Sequence, residues 1–513
     1  MAQPRTLVIG AGIGGLTTAA LLRKAGHTVT VLEAHVYPGG SAGTFYHQRY
    51  RFDAGATLAG GFSSGGPHAR LAEALQLSWP IEPVDPAWIV HLPDGRQVTQ
   101  WADRQRWLEE ALHHFPRSAP LWRRQERLAD IAWDISSRPF PWPPQNLWEL
   151  IEVARAVRPG TVRALPYLLR KTADLGPLDD PLLDLFLDSQ LLIAAQTTAN
   201  RANALYGSAA LDLPRRGVNH VRGGIGALAD TLVQWLREHG GEVLFRQKVE
   251  RIEVRGRRAV AVHTNKRLSL EADYIVVNAT PWGLADLLGG EAPSELRREV
   301  ERRQATWGAF TLYLGLDQAK LPPGISDHHQ VIVDAHLPLG EGNSVFISLS
   351  SAGDGDRAPA GKRAATLSTH TTVKPWWALR HGDQDAYHAR RQAYVERMLA
   401  AAERAVPGIS QAVELFLPGT PVTFEFYTRR PLGMVGGFPQ TSLFDVRGPA
   451  TGIPNLWLVG DSIFPGQSTA GVTLGGMRVA AAVSRAAERR AVWPVLSSVR
   501  DAVTPWQLDS EAG

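Results

Sequence analysis

The stretch from Thr6 to Glu33 restricts the fold more than any other part of the chain. Thr6–Ile9 is a short apolar run, Leu16–Ala25 is Ala/Leu-rich with helical spacing, and Thr28–Leu32 is a second β-branched run. Gly26-His27 stands where a helix end and turn are expected. Strand, tight turn, helix and strand make one βαβ unit, which implies a parallel sheet. Gly10, Gly12 and Gly15 form G-x-G-x-x-G in the turn, with Gly14 beside them. Gly10 permits the tight turn, Gly12 lets the backbone approach a pyrophosphate, and Gly15 lets helix and strand pack closely. The free N–H groups of the helix N-terminus then face the anion. Glu33 ends the second strand, 18 residues after Gly15. A carboxylate there accepts hydrogen bonds from ribose hydroxyls and repels a 2′-phosphate. The unit is expected to bind a dinucleotide other than NADP.

Two distant segments separate FAD from NAD. Directly after Glu33 comes a second glycine turn, Val36-Tyr37-Pro38-Gly39-Gly40-Ser41-Ala42-Gly43-Thr44-Phe45, followed by Tyr50-Arg51-Phe52-Asp53-Ala54-Gly55-Ala56. Such a turn, with Gly40 and Ser41 at its tip, suits a loop wrapped around the pyrophosphate and ribityl chain of a longer cofactor. Near the other end, Asn455–Val459 reads as a strand running into Gly460-Asp461, and Pro465–Val472 leads through Gly471 and Val472 into a helix. Asp461 can accept from a ribityl hydroxyl. A helix N-terminus aimed at the flavin pyrimidine stabilises negative charge on N1 and O2. Together the two ends of the chain predict FAD.

The rest of the composition narrows the class. A chain of 513 residues exceeds one compact core, so two domains are expected. Zero cysteines exclude disulfides, thiolate metal sites, a cysteine nucleophile and a flavin–cysteine link. The net charge of +4 comes without a basic block, so nucleic acid is not an expected partner. The adjacent pairs His113-His114 and His328-His329 are expected on the surface, and no metal site is predicted. The first strand begins within a few residues of Met1, leaving no room for a signal peptide, and no apolar run is long enough to span a bilayer.

Between these motifs the reading is coarser. Gly223–His239 is expected to be helical, Val243–Val249 a strand, and Arg251–Val254, Ala259–His263 and Tyr274–Asn278 further β runs. Phe310–Leu314, Val345–Leu349 and Leu456–Val459 also read as strands, Thr469–Ala487 as the last helix, and Ser351–Gly361 as a polar loop. After the proline-rich Pro139–Pro144, Leu147–Lys171 mixes apolar residues with Arg155, Arg158, Arg163, Arg170 and Lys171, broken by Pro159-Gly160 and Pro166. It is the expected contact with a membrane surface.

Four stretches, Val8–Glu33, Pro38–Ala56, Gly217–Leu232 and Gly460–Val472, resemble the carotenoid desaturase and isomerase family of FAD flavoproteins. Pro38-Gly39-Gly40-Ser41-Ala42-Gly43-Thr44-Phe45 with Phe52-Asp53-Ala54-Gly55-Ala56-Thr57, and Pro465-Gly466-Gln467-Ser468-Thr469-Ala470-Gly471-Val472, carry it best and resemble the 3,4-desaturase branch most closely. The resemblance implies an α/β fold: a Rossmann-like FAD-binding domain of amine-oxidase-like topology with a discontinuous α+β substrate domain. Residues 1–67, 211–295 and 431–490 would form the first, 68–210 and 296–430 the second, and 491–513 a tail. It further implies that the Val249 backbone contacts adenine and that the turn Val221-Arg222-Gly223-Gly224 lies beside the flavin, with Val221 where a proline is usual. His220 and Arg222 are the catalytic candidates there, to polarise an end-group hydroxyl or remove a proton. Ser41 replaces a common arginine, so charge neutralisation at that position is not implied.

The implied activity is removal of two hydrogens from an acyclic carotenoid end group, C-3,4 desaturation, including a 1-hydroxylated one, by hydride transfer to flavin N5. A cis–trans isomerase or a ketolase on the same scaffold is the nearest alternative, and a prenyl-binding GDI-like protein the non-enzymatic one. No second nucleotide fingerprint is present, so quinone or O₂ is the expected electron acceptor. The expected location is the cytoplasmic face of a membrane, held peripherally.

Overall fold

The computed structural model describes residues 3–501 except 139, 146, 178, 179 and 306, with side chains described as far as 490. Five parallel strands form the first sheet, in the order Leu456–Val459, Tyr274–Asn278, Arg5–Ile9, Thr28–Leu32 and Glu242–Leu244. Leu7 pairs with Ile275 on one side and Thr30 on the other, so the N-terminal strand sits centrally. Val8, Val31, Val276 and Leu458 are wholly buried, as expected of parallel strands covered on both faces. Small residues let two helices meet over this sheet. Thr18 of Ile13–Lys24 donates from its hydroxyl to the Gly476 carbonyl at 3.2 Å, and a Cβ at Gly476 would come 2.7 Å from the Gly14 carbonyl oxygen.

A second sheet has seven strands. Trp307–Asp317 and Lys362–Thr372 pair antiparallel over eleven residues each, flanked by Val413–Gly419 and Ser344–Leu349. His328–Ile332 then joins Trp88–His91 in the sheet's parallel step. Period-two alternation divides its faces. Leu312, Leu314 and Leu367 pack under the helix Gln384–Ala405, whereas Thr311, Tyr313 and Ser368 face a large cavity. A helical layer closes that cavity with its own core, where Trp107 stands edge-on to Trp122 at 5.0 Å and both contact Phe186.

Several sequence expectations shift. Val243–Val249 is two strands, Glu242–Leu244 and Val249–Arg255, in different sheets; Arg246 turns the chain at φ +57°. The helix expected over Gly223–His239 starts at Ala227, because Gly223 and Gly224 take φ of +77° and +103°. The last helix runs from Thr469 to Asp501, and 502–513 of the expected tail lie outside the described residues. Leu147–Lys171 breaks at its prolines into Leu147–Ala156, Pro159–Val162 and Leu165–Tyr167. His328 and His329 are buried within a strand and not on the surface, because that strand is interior to the seven-stranded sheet. No helix among the described residues is long and apolar enough to cross a membrane.

A buried histidine gives a direct stability test. His68 is completely buried, stacked on Phe62 at 4.5 Å, and neither ring nitrogen has a partner. Burial holds its imidazole at about 3. Between that value and the unfolded one near 6.5, only the unfolded chain binds this proton, so the group costs stability as pH falls through the window. His68→Phe removes the cost. Its stabilisation, measured by urea unfolding, is expected to be about 2 kcal/mol larger at about pH 5 than at about pH 7. An equal effect at both pH values contradicts a neutral, buried His68.

Candidate functional site

The cleft begins at the first glycine loop. Gly10, at φ +96°, donates to the Leu32 carbonyl at 2.7 Å and closes the tight turn. Gly12 and Gly14 line the cavity. Gly15 does not; a Cβ there would overlap the Gly10 carbonyl oxygen, so its role is close packing. The Glu33 carboxylate accepts from the backbone N–H of Ala11 and of His35, both at 2.7 Å. Burial raises its pKa, and those N–H donors pull it back toward the charged form. The second glycine turn folds onto the first: Gly39 donates to Ala11 at 2.8 Å, which places Gly40 and Ser41 on the wall. Val249 opens its strand on the same wall, beside Gln247 and Lys248.

The C-terminal motif arrives opposite. Gly460, at φ +121°, and Asp461 line the cavity, as do Thr469, Ala470 and Val472 at the start of the last helix. Gly471 lies behind them; its N–H donates to Ser468 Oγ at 3.0 Å, and a Cβ would press within 2.7 Å of the Gly466 carbonyl. The Arg430 guanidinium holds Asp461 at 3.0 Å and donates to the carbonyls of Met434 and Gly436.

Two residues here escaped the sequence reading. Asn278 ends a central strand, and its side chain touches the positions where Gly12, Gly15 and Gly460 would carry a Cβ. It joins the two end motifs, and its only signal was the β run ending in Asn278-Ala279-Thr280-Pro281. Arg430 gave no signal, because its partner lies 31 residues away across a turn.

His220 and Arg222 are not on the cavity wall. His220 Nε2 lies 3.0 Å from a buried Asp354 oxygen, which also accepts from the Gly223 N–H. The Arg222 side chain is 60% exposed beside Glu82 at 3.7 Å. The turn they flank belongs instead to a buried polar seam. Arg357, on the Ser351–Gly361 loop, pairs with Asp53 at 2.9 Å, and Asp53 also accepts from Thr44 and from the Ile225 N–H. Neither catalytic candidate reaches the cavity: His220 is turned to Asp354, and Arg222 faces outward. Among the described residues no cluster of three metal-ligating side chains occurs.

The cavity measures about 1360 Å³, beyond the roughly 300–1,000 Å³ of a single small-molecule pocket. It runs from Glu33 and Val249 past Asp461 into a chamber walled by Trp88, Leu213, Phe346 and Leu417. The description "flavin containing amine oxidoreductase" matches residues 13–484. The chain belongs to this family. FAD is its cofactor, and the residues fit it: the Glu33 carboxylate, held by two backbone N–H groups and in no ion pair among the described residues, two glycine turns that bring Gly10, Gly12, Gly39 and Gly40 to the wall, and a helix N-terminus opposite.

Similarity extends over nearly the whole chain. The prolycopene isomerase, chloroplastic, of Daucus carota is 28% identical over 498 residues, covering 92% of this chain and 79% of the relative. The phytoene desaturase (lycopene-forming) of a Paracoccus species is 25% identical over 506 residues, covering 92% and 95%. A solved structure of an oxidoreductase from Methanosarcina mazei superposes with a TM-score of 0.62 at 20% identity, covering 93% of this chain and 99% of that one. It supports the amine-oxidase-like fold.

Proposed function

We propose that the protein desaturates an acyclic carotenoid end group at C-3,4, with FAD as the oxidant. The single observation that carries this reading is that one cavity of about 1360 Å³ takes in both the glycine-loop walls and the apolar side chains of Trp88, Leu213, Phe346 and Leu417. Bound FAD supplies a two-electron acceptor at N5. The chain's own residues position and exclude. Trp88, Phe346 and Leu417 line the path of an extended apolar chain, and Gln190 and His370 add polar groups to it. The N-terminus of the Thr469–Asp501 helix favours negative charge at that end of the cavity. Quinone or O₂ is the proposed final acceptor.

A second reading, cis–trans isomerisation of a carotene, is supported by the similarity to prolycopene isomerases. Expression in a lycopene-producing bacterium, with and without a 1,2-hydratase, separates the two. A pigment lighter by two hydrogens supports desaturation. A pigment of unchanged mass and altered double-bond geometry supports the isomerase. Unchanged pigments in both backgrounds overturn both readings.

Carotenoids reside in bilayers, so the substrate must be drawn from one. Leu147, Trp148, Leu165 and Leu169 are exposed, Trp148 at 74% and Leu169 at 80%, among Arg155, Arg163 and Arg170. Apolar side chains ringed by arginines fit an anionic membrane surface, and this segment is the proposed peripheral contact. Trp148→Asp combined with Leu169→Asp is expected to weaken binding to phosphatidylserine vesicles about 100-fold in sedimentation, from about 3 kcal/mol of lost burial. Unchanged sedimentation moves the contact elsewhere.

A further inference from the structure

Behind the chamber wall runs a chain of hydrogen bonds whose direction is set by its first donor. The indole N–H of Trp88 donates to Gln190 Oε1 at 3.2 Å. An indole can only donate, so this contact fixes which end of the Gln190 amide is the oxygen. Gln190 Nε2 then donates to Gln330 Oε1 at 2.6 Å and to Ser189 Oγ at 3.0 Å. Ser189 is free to accept, because its own proton goes to the Phe186 carbonyl at 2.7 Å. Gln330 is oriented in turn, and its Nε2 donates to Ser344 Oγ at 3.1 Å and to the Ser189 carbonyl at 3.4 Å. Gln190, Gln330 and Ser189 are all buried. The chain ends at Ser344, itself buried, which accepts from Gln330 and whose own proton has no acceptor among the described residues. Ser344 lines the cavity together with Trp88, Gln190 and Phe346, and Trp88 stands edge-on to Phe346 at 5.9 Å. One uncommitted hydroxyl proton is thus left on the wall beside two aromatic rings.

We propose that Ser344, kept a donor by the Trp88–Gln190–Gln330 chain, hydrogen-bonds an oxygen atom carried by the polyene substrate. This inference rests on the reading that the chamber takes a carotenoid, and it holds for desaturation and isomerisation alike. A pure hydrocarbon offers the Ser344 proton nothing, so binding it shuts an unpaired donor away from water. A hydroxyl, ether or ketone oxygen satisfies that donor. The proton cannot be turned back on Gln330, whose Nε2 is itself donating to the same oxygen. Each bond in the chain also polarises the next, which strengthens the last donor. The wall therefore selects for an acceptor, and an ether meets it as well as an alcohol does. A group left unpaired discriminates between substrates more sharply than a missing methylene does.

The test titrates an acyclic carotene, its tertiary alcohol and the methyl ether of that alcohol into the FAD-loaded protein. The flavin is first reduced with dithionite so that no hydride transfer follows, and binding is read from quenching of tryptophan fluorescence. The wild type is expected to bind the alcohol and the ether about 10-fold more tightly than the carotene, with the two within about twofold of each other. In Ser344→Ala both preferences fall to about 1, and Ser344→Thr restores them. Each ratio is taken within one variant, so a general loosening of the chamber, followed by flavin content and melting temperature, cancels. Trp88→Phe removes the donor that sets the chain and lets the Gln190 amide turn, so the ether is expected to lose about fivefold relative to the alcohol. Equal affinity of the wild type for all three polyenes overturns the proposal. So does a preference for the alcohol that the ether does not share, since it makes Ser344 an acceptor. A preference that survives in Ser344→Ala assigns the oxygen to another group, and an unchanged ether-to-alcohol ratio in Trp88→Phe overturns the chain that holds Ser344. A flavin band shifted in polyene-free Ser344→Ala places the hydroxyl on the cofactor and overturns the proposal as well. If none of the three polyenes binds, the carotenoid reading falls and takes the proposal with it; if the carotene binds without any preference, only the proposal falls.

Discussion

Gly15→Val is expected to purify with less than a tenth of the wild-type FAD content and to stay flavin-poor after reconstitution. A side chain at this position overlaps the Gly10 carbonyl oxygen and reaches within 3.0 Å of Asn278 Cβ. Both obstacles are firmly held. The Gly10 backbone is tied to Leu32, and Asn278 ends a central strand paired on both sides. The helix Ile13–Lys24 must therefore move off the sheet, carrying away the N–H groups proposed to meet the pyrophosphate. Overpacking of this kind costs about 1–3 kcal/mol in stability, and the anion site is lost with the geometry that made it. The flavin-to-protein absorbance ratio and a thermal melt together check the result. A fully loaded Gly15→Val protein contradicts the close packing described.

Arg357→Met is expected to destabilise the protein by about 3–5 kcal/mol in urea unfolding. The pair it breaks is almost fully buried, with both side chains at 5% exposure or less. The Asp53 carboxylate keeps its hydrogen bonds from Thr44 and the Ile225 N–H but loses its only ion-pair partner among the described residues. Removing one member of a buried pair leaves an uncompensated charge, which costs more than removing both. The double variant Asp53→Asn with Arg357→Met therefore recovers a large part of the loss. A loss under about 1 kcal/mol for the single variant means that water reaches the seam.

The sequence disclosed the cofactor half of the molecule better than the rest because local spacing encodes it. Gly10, Gly12, Glu33, Gly40, Ser41, Val249, Gly460, Asp461 and Val472 all reach one cavity. Gly15 and Gly471 act one layer behind it, through backbone crowding that spacing alone does not separate from ligand contact. Asn278 and Arg430 were illegible because each acts across strands or turns that only the assembled sheet brings together. The direction of the His220 side chain was hidden for the same reason. Its neighbours in sequence approach the glycine turn, but its side chain is committed to Asp354, 134 residues away. His328 and His329 read as polar and exposed, yet the strand pairing on both sides buries them.

The most direct measurement is anaerobic titration of the FAD-loaded protein with an acyclic carotenoid presented in vesicles. Oxidation of the polyene predicts that the flavin band bleaches in proportion to pigment lighter by two hydrogens, one flavin for each new double bond. A flavin that stays oxidised with every acyclic carotenoid offered, or a protein that never takes up FAD, contradicts it.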